Sequence, residues 1–197
     1  MSLCDIFGEL PLDSICRIIF PEGIPMATTP TLLSIDEYLR TSYKPDADFV
    51  DGEIEERNLG EFQHARLQNL IAFFLTLNET SWSTQTVIEQ RIRVAARRVR
   101  VCDVAVLRAD APREQVTTTP PLICIEILSP EDRIPRATRV LADYLAMGVE
   151  NIWLVDPANR GAFTFGATGL HPADPTNLRV ANTPIHLDLT EAFAAIA

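Results

Sequence analysis

Two acids stand where a protein core should be apolar. Asp103 lies in Val99-Arg-Val-Cys-Asp-Val-Ala-Val-Leu107, with Val99, Val101, Ala105 and Leu107 expected on one face of an alternating strand. Glu126 lies in Leu122-Ile-Cys-Ile-Glu-Ile-Leu128, a run apolar almost throughout, as in a strand buried on both sides. A lone carboxylate is costly to bury, so such an acid is paired, protonated or bound to a cation. A loop carrying Pro112, Pro120 and Pro121 joins the two runs. Two acids on neighbouring strands can converge on one hard cation that prefers oxygen ligands. Each can equally cap a strand end and meet solvent or an arginine. Both readings are open on these residues alone.

The elements that must position these acids follow from periodicity. Ser34-Ile-Asp-Glu37 is a capping box that starts a short helix through Tyr38 and Leu39. Asp51-Gly52 is a hairpin turn within Asp48-Phe-Val-Asp-Gly-Glu-Ile-Glu-Glu56. Between Phe62 and Leu77, Leu67, Leu70, Ile71 and Phe74 mark one helical face, and His64 points to the same inner side. Thr86-Val-Ile-Glu-Gln-Arg-Ile-Arg-Val94 is a strand leading into the Asp103 strand. Ser129-Pro130 resembles a helix start, with Pro135 as a rival beginning. Ala137, Val140, Leu141 and Tyr144 form that helix's apolar stripe, which Gly148 ends. Asn151-Ile-Trp-Leu-Val-Asp156 is a buried strand, parallel to the Glu126 strand because a helix crosses between them. Residues 162–189 read as a small hairpin and edge strands before a short terminal helix.

Composition narrows the class. A chain of 197 residues and 21.9 kDa suits one domain with a real core. Residues 1–25, broken by Pro11, Pro21, Gly23 and Pro25, are expected to add nothing to the fold, leaving 26–197 as the domain. A net charge of −10 argues against a globally basic nucleic-acid surface. A local strip is compatible with it: Arg91, Arg93, Arg97, Arg98, Arg100 and Arg108 flank Asp103 and suggest a phosphate track. Lys44 is the only lysine among 17 basic residues. Cys4, Cys16, Cys102 and Cys124 have neither C-x-x-C nor zinc spacing, which suits a reducing, cytoplasmic setting. No run approaches a membrane span, and the start lacks the pattern of a signal peptide.

The order from Phe62 onward is αβββαβ, with acids on the second and third strands. This order resembles the PD-(D/E)xK nuclease superfamily and, more narrowly, the bacterial Uma family of putative restriction endonucleases. The matching pieces are Phe49-Val-Asp-Gly-Glu53, His64, Val101-Cys-Asp-Val-Ala-Val106, Ile125-Glu-Ile-Leu-Ser-Pro130, and Tyr144 followed by Gly148 to Pro157. Together they span residues 30–195. The resemblance implies a restriction-endonuclease-like fold, with a mixed α/β sheet flanked by helices, an N-terminal hairpin and C-terminal strands. It also implies Mg²⁺- or Mn²⁺-dependent hydrolysis of DNA, with Asp103 and Glu126 as metal ligands. His64 and Glu53 are expected at the rim of the site, and a homodimer is compatible with the family. The lysine of such sites is missing. Leu128 stands two residues after Glu126, and Val140 stands four before Tyr144, where this family places it. A nuclease-derived module without catalysis is the alternative.

Overall fold

The computed structural model describes residues 32–57, 61–129 and 134–196. The expected extension, residues 1–25, and the Pro130–Asp132 part of the expected helix start lie outside them. The account below concerns the unit from Leu33 onward.

Helix α1 (Ile35–Arg40) begins as the capping box requires, with the Glu37 N–H donating to Ser34 Oγ at 3.2 Å. Strands β1 (Asp48–Val50) and β2 (Glu53–Glu55) form the expected hairpin. Asp51 at φ 52° and Gly52 at φ 108° supply the left-handed pair that such a tight turn needs. Helix α2 (Phe62–Leu77) buries His64, Leu67, Ile71 and Leu75, and the single turn α3 (Glu79–Trp82) follows it. Strands β3 (Thr84–Ala95) and β4 (Arg98–Arg108) make a long antiparallel hairpin, and β4 pairs antiparallel with β5 (Ile123–Ile127). Helix α4 (Ile134–Met147) carries the chain over the sheet, and β6 (Asn151–Asp156) returns parallel to β5. Gly148, at φ 103°, ends α4 as expected. Strands β7 (Gly161–Gly166) and β8 (Gly169–Ala173) extend the sheet. Strands β9 (Leu178–Arg179) and β10 (His186–Leu187) and helix α5 (Thr190–Ala194) complete the chain.

The sheet runs β2-β1-β4-β5-β6-β7-β8, with β3 also on β4. One face carries α2: Leu67, Ile71 and Leu75 pack with Val104, Val106, Ile123 and Ile125, and Phe193 of α5 joins them. The other face carries α4, whose Leu141 and Tyr144 pack with Ile92, Ala105, Cys124 and Leu154. Tyr38 of α1 covers Phe49 and Val99 in a third cluster. The core is thus three layers thick around one mixed sheet.

Strand β4 departs from the alternation expected of it. Every residue from Val99 to Leu107 is buried, so the strand has no solvent face. Val99 packs under α1 and Ala105 under α4, so the four expected residues do not share one surface. The reason is its position. One edge of β4 pairs with β3 along most of its length. The other edge is divided: β1 pairs with Arg98 and Val99, and β5 pairs with Val104 to Val106.

Candidate active site

Residues 100–103 occupy the interval between those two partners, where neither β1 nor β5 continues the ladder. Side chains fill the missing positions. Asp48 accepts the Val101 N–H at 2.8 Å, and Asp103 Oδ2 accepts the Ile127 N–H at 2.8 Å. Strand β4 also reverses its facing here. Arg100 reaches Asp143 of α4 and Cys102 packs with the α4 cluster, yet Val104 and Val106 face α2. A regular strand would send all four to one side. Across the hairpin, Ile88 pairs with Val104 and Gln90 with Cys102, but Glu89 between them sits at φ 50°. A non-glycine residue in that region costs about 1–3 kcal/mol and tends to occur where function over-determines the backbone.

Extending the β4–β5 register by one step sets Asp103 opposite Glu126. Both line a cleft of about 220 Å³. Asp103 is almost wholly buried, at 1% exposure. Its Oδ1 accepts from the Arg57 guanidinium, and its Oδ2 meets His64 Nε2 at 3.2 Å as well as the Ile127 N–H. Burial works against this carboxylate, but His64, Arg57 and the Ile127 N–H together hold it below the usual carboxylate range. Burial likewise works against a charged His64, yet its bond to Asp103 and that acid's charge raise it above the ordinary histidine value.

Glu126 is the opposite case. Burial, then the charge of Asp103, push it well above the usual range, against the help of Arg57 and Tyr144. The Tyr144 hydroxyl donates to Glu126 Oε1 at 2.6 Å. Neighbouring carboxylates with proton affinities driven apart are a recurrent feature of catalytic sites. Glu89 adds a third acid. It accepts from Arg57, and from Gln68 Nε2 at 2.6 Å, while Gln68 Nε2 also donates to the Asp103 carbonyl at 2.9 Å. Arg57 is therefore held by two acids, and its charge is favoured despite burial.

Of the four residues expected at the site, Asp103, Glu126 and His64 meet in this cleft. Glu53 is exposed on β2 and does not line it. Arg57, Gln68 and Glu89 are not anticipated by the sequence reading, which places Tyr144 on the helix's apolar stripe and among the family's matching pieces but not in the site. Glu89 was discoverable: counting outward from the β3–β4 turn at Ala96-Arg97 brings it within one residue of facing Asp103. Both lysine positions, Leu128 and Val140, line the cleft with uncharged side chains.

The arginine strip is corrected by the fold. Arg91 pairs with Asp46, Arg98 with Asp51 and Asp143, and Arg100 with Asp48, Glu55 and Asp143. Arg93 and Arg97 donate to the carbonyls of Ala96 and Asp51. Arg91, Arg98 and Arg100 are thus engaged by acids of their own chain, so the six do not form one continuous strip open to phosphate.

A mixed sheet between helices, interrupted where a buried and a half-buried acid meet a cleft, is the architecture of a nuclease-like fold. A crystal structure of a putative nuclease belonging to DUF820 from Anabaena variabilis superposes with a TM-score of 0.73, at 20% identity, over 84% of this chain and 99% of that one. Residues 35–191 match the model of the Uma2 family, described as "putative restriction endonuclease", and the chain belongs to that family. No curated protein matches it. No described helix is long and apolar enough to cross a membrane.

Proposed function

We propose that this protein is a divalent-cation-dependent nuclease that hydrolyses phosphodiester bonds in DNA. The observation that carries the reading is the register that sets Asp103 opposite Glu126 beyond the last β4–β5 pair, with both lining one cleft. Among the described residues no group of three or more His, Cys, Asp or Glu side chains is gathered as a ready metal site. The two carboxylates nevertheless suit Mg²⁺ or Mn²⁺, which takes one or two protein oxygens and keeps several waters. Glu126's raised proton affinity fits as well, because a desolvated acid beside another acid is favoured by a proton or a cation. Such an ion supplies charge neutralisation at the phosphate and acidifies bound water.

The chain's own residues then have distinct tasks. His64 and the Ile127 N–H fix Oδ2 of Asp103, which orients the carboxylate and keeps it ionised. Tyr144 holds Oε1 of Glu126. The missing lysine deprives the cleft of a proton-transfer group worth about 10²–10⁴-fold in rate, so the natural activity is slow. One observation favours the reading as a non-catalytic module: the uncharged Leu128 and Val140 on the cleft wall.

The test combines calorimetry with nicking of supercoiled plasmid. The wild type should bind Mn²⁺ at one saturable site and nick slowly in Mn²⁺, while Asp103→Asn and Glu126→Gln lose both. Cation binding without nicking would support the non-catalytic module. Undiminished Mn²⁺ binding by the double variant would remove the metal reading altogether.

A further inference from the structure

Arg57 is the one guanidinium bound directly to Asp103 among the described residues, and both atoms of that contact are shielded. Its side chain is 16% exposed, against 2% for Asp103. It stands two residues beyond β2 and bridges Asp103 to Glu89. Glu89 sits at φ 50°, and its carboxylate also accepts from Gln68. Two acids, one of them backed by Gln68, thus hold one cation at the site.

The choice of oxygen matters more. Oδ2 of Asp103 already accepts the Ile127 N–H and meets His64. Oδ1 is the oxygen left for a cation, and Oδ1 is the one Arg57 holds. A divalent ion there would face a guanidinium within a hydrogen-bond length, two like charges beside a carboxylate that is itself almost wholly buried. Both cannot sit on Oδ1 at low cost. Once displaced, Arg57 keeps Glu89 as an anchor and remains on the cleft wall, where Val140 brings no charge. A guanidinium there is suited to phosphate oxygens by its planar fork and permanent charge, although it is a poor proton donor.

We propose that Arg57 is the resident counterion of the site: it occupies Oδ1 of Asp103 until a divalent cation displaces it, and then turns to the phosphate in place of the absent lysine. The inference rests on the nuclease reading and deepens it. It assigns a phosphate-binding role to Arg57, and it makes cation affinity depend on a competition within the chain.

The experiment titrates the full chain with Mn²⁺ by calorimetry at neutral pH. Arg57→Gln should bind at least about tenfold tighter than the wild type, since the competitor has gone. Arg57→Lys, a compact charge that cannot span Asp103 and Glu89 together, should fall between them and serves if the glutamine variant folds poorly. In Ca²⁺, a short labelled DNA duplex should bind Arg57→Gln several-fold more weakly than the wild type. Equal or weaker Mn²⁺ affinity in both Arg57 variants, with Asp103→Asn still losing the site, would overturn this inference alone. Mn²⁺ binding that survives Asp103→Asn would overturn it together with the nuclease reading. Tighter Mn²⁺ binding with unchanged duplex binding would overturn the phosphate half of the proposal.

Discussion

Replacing Arg100 with methionine should destabilise the protein by about 3–4 kcal/mol at pH 7, and the reasoning starts from what the guanidinium holds together. Arg100 is 2% exposed and donates to Asp48 at 2.9 Å, Glu55 at 2.8 Å and Asp143 at 2.8 Å. It thereby ties the β1–β2 hairpin and α4 to the same point of β4. Its loss would not affect the three acids equally. Asp143 keeps Arg98 at 2.7 Å, and Glu55, with a side chain 31% exposed, can rehydrate. Asp48, at 3% exposure, would keep the Val101 N–H but lose the guanidinium that offsets its charge. Stranding one partner of a buried pair costs about 3–5 kcal/mol, and methionine recovers some packing. For a domain of this size that is a fall of about 6–16 °C in melting temperature. Burial already outweighs Arg100 and raises Asp48 above its ordinary value. A raised folded-state pKa means the charged form is the costly one, so stability declines as pH rises through that pKa. Removing Arg100 raises it further, and the deficit of the variant should therefore shrink from pH 7 to pH 5. Urea unfolding at both values measures this, with Arg100→Met/Asp48→Asn expected to recover part of the loss. A loss below about 1 kcal/mol, or one identical at both pH values, would refute the argument.

Two predictions concern the cleft. Val140→Lys should speed Mn²⁺-dependent plasmid nicking by about 10²-fold or more, because the side chain lines the cleft with Asp103 and Glu126; no gain in a folded variant that binds Mn²⁺ would argue against that placement. Tyr144→Phe removes a donor that favours the Glu126 carboxylate, so its proton affinity should climb further. Cation binding must expel that proton, so affinity should rise with pH and the variant's curve should lie at higher pH than the wild type's; coincident curves from calorimetry at pH 5.5–8 would show that Tyr144 is structural only.

Much of this architecture is legible in the residues because local signals and burial agree. The Asp51-Gly52 turn, the Ser34 cap and the Gly148 stop each carry a backbone requirement that a short peptide can reveal. The parallel β5–β6 pair follows from two apolar runs separated by a helix. His64 was visible as an inward residue at a helix start, but nothing in its neighbours showed that Asp103 would meet it. The arginine strip misled for a related reason. Charges spaced along β3 and β4 look solvated until the hairpin and α4 bring Asp48, Asp51 and Asp143 against them. Arg57 was hidden more deeply, and the turn count brings Glu89 only to within one residue of Asp103. One lies beyond a strand end, and the other reaches the site only because its backbone leaves the regular ladder.

The capping reading of Asp103 is visible in its contacts with Ile127 and Arg57, and the proposed cation would use the same carboxylate. Strand β4 has more edge than either β1 or β5 alone covers, and an unpaired N–H in a buried interval is costly. Asp48 and Asp103 answer that need by accepting from Val101 and Ile127, as a cap would. A side chain that substitutes for a strand must sit between strands, so Asp103 is held at the interruption, where it lines the cleft with Glu126. The structural duty of one oxygen thus fixes the position of the other, which now meets an arginine. It follows that Asp103→Asn perturbs two things: the charge at Oδ1 and the acceptor at Oδ2. An amide can keep its oxygen toward the Ile127 N–H, which places the NH₂ toward Arg57 and any incoming cation. Loss of cation binding with a small change in stability is the pattern expected from that division of labour.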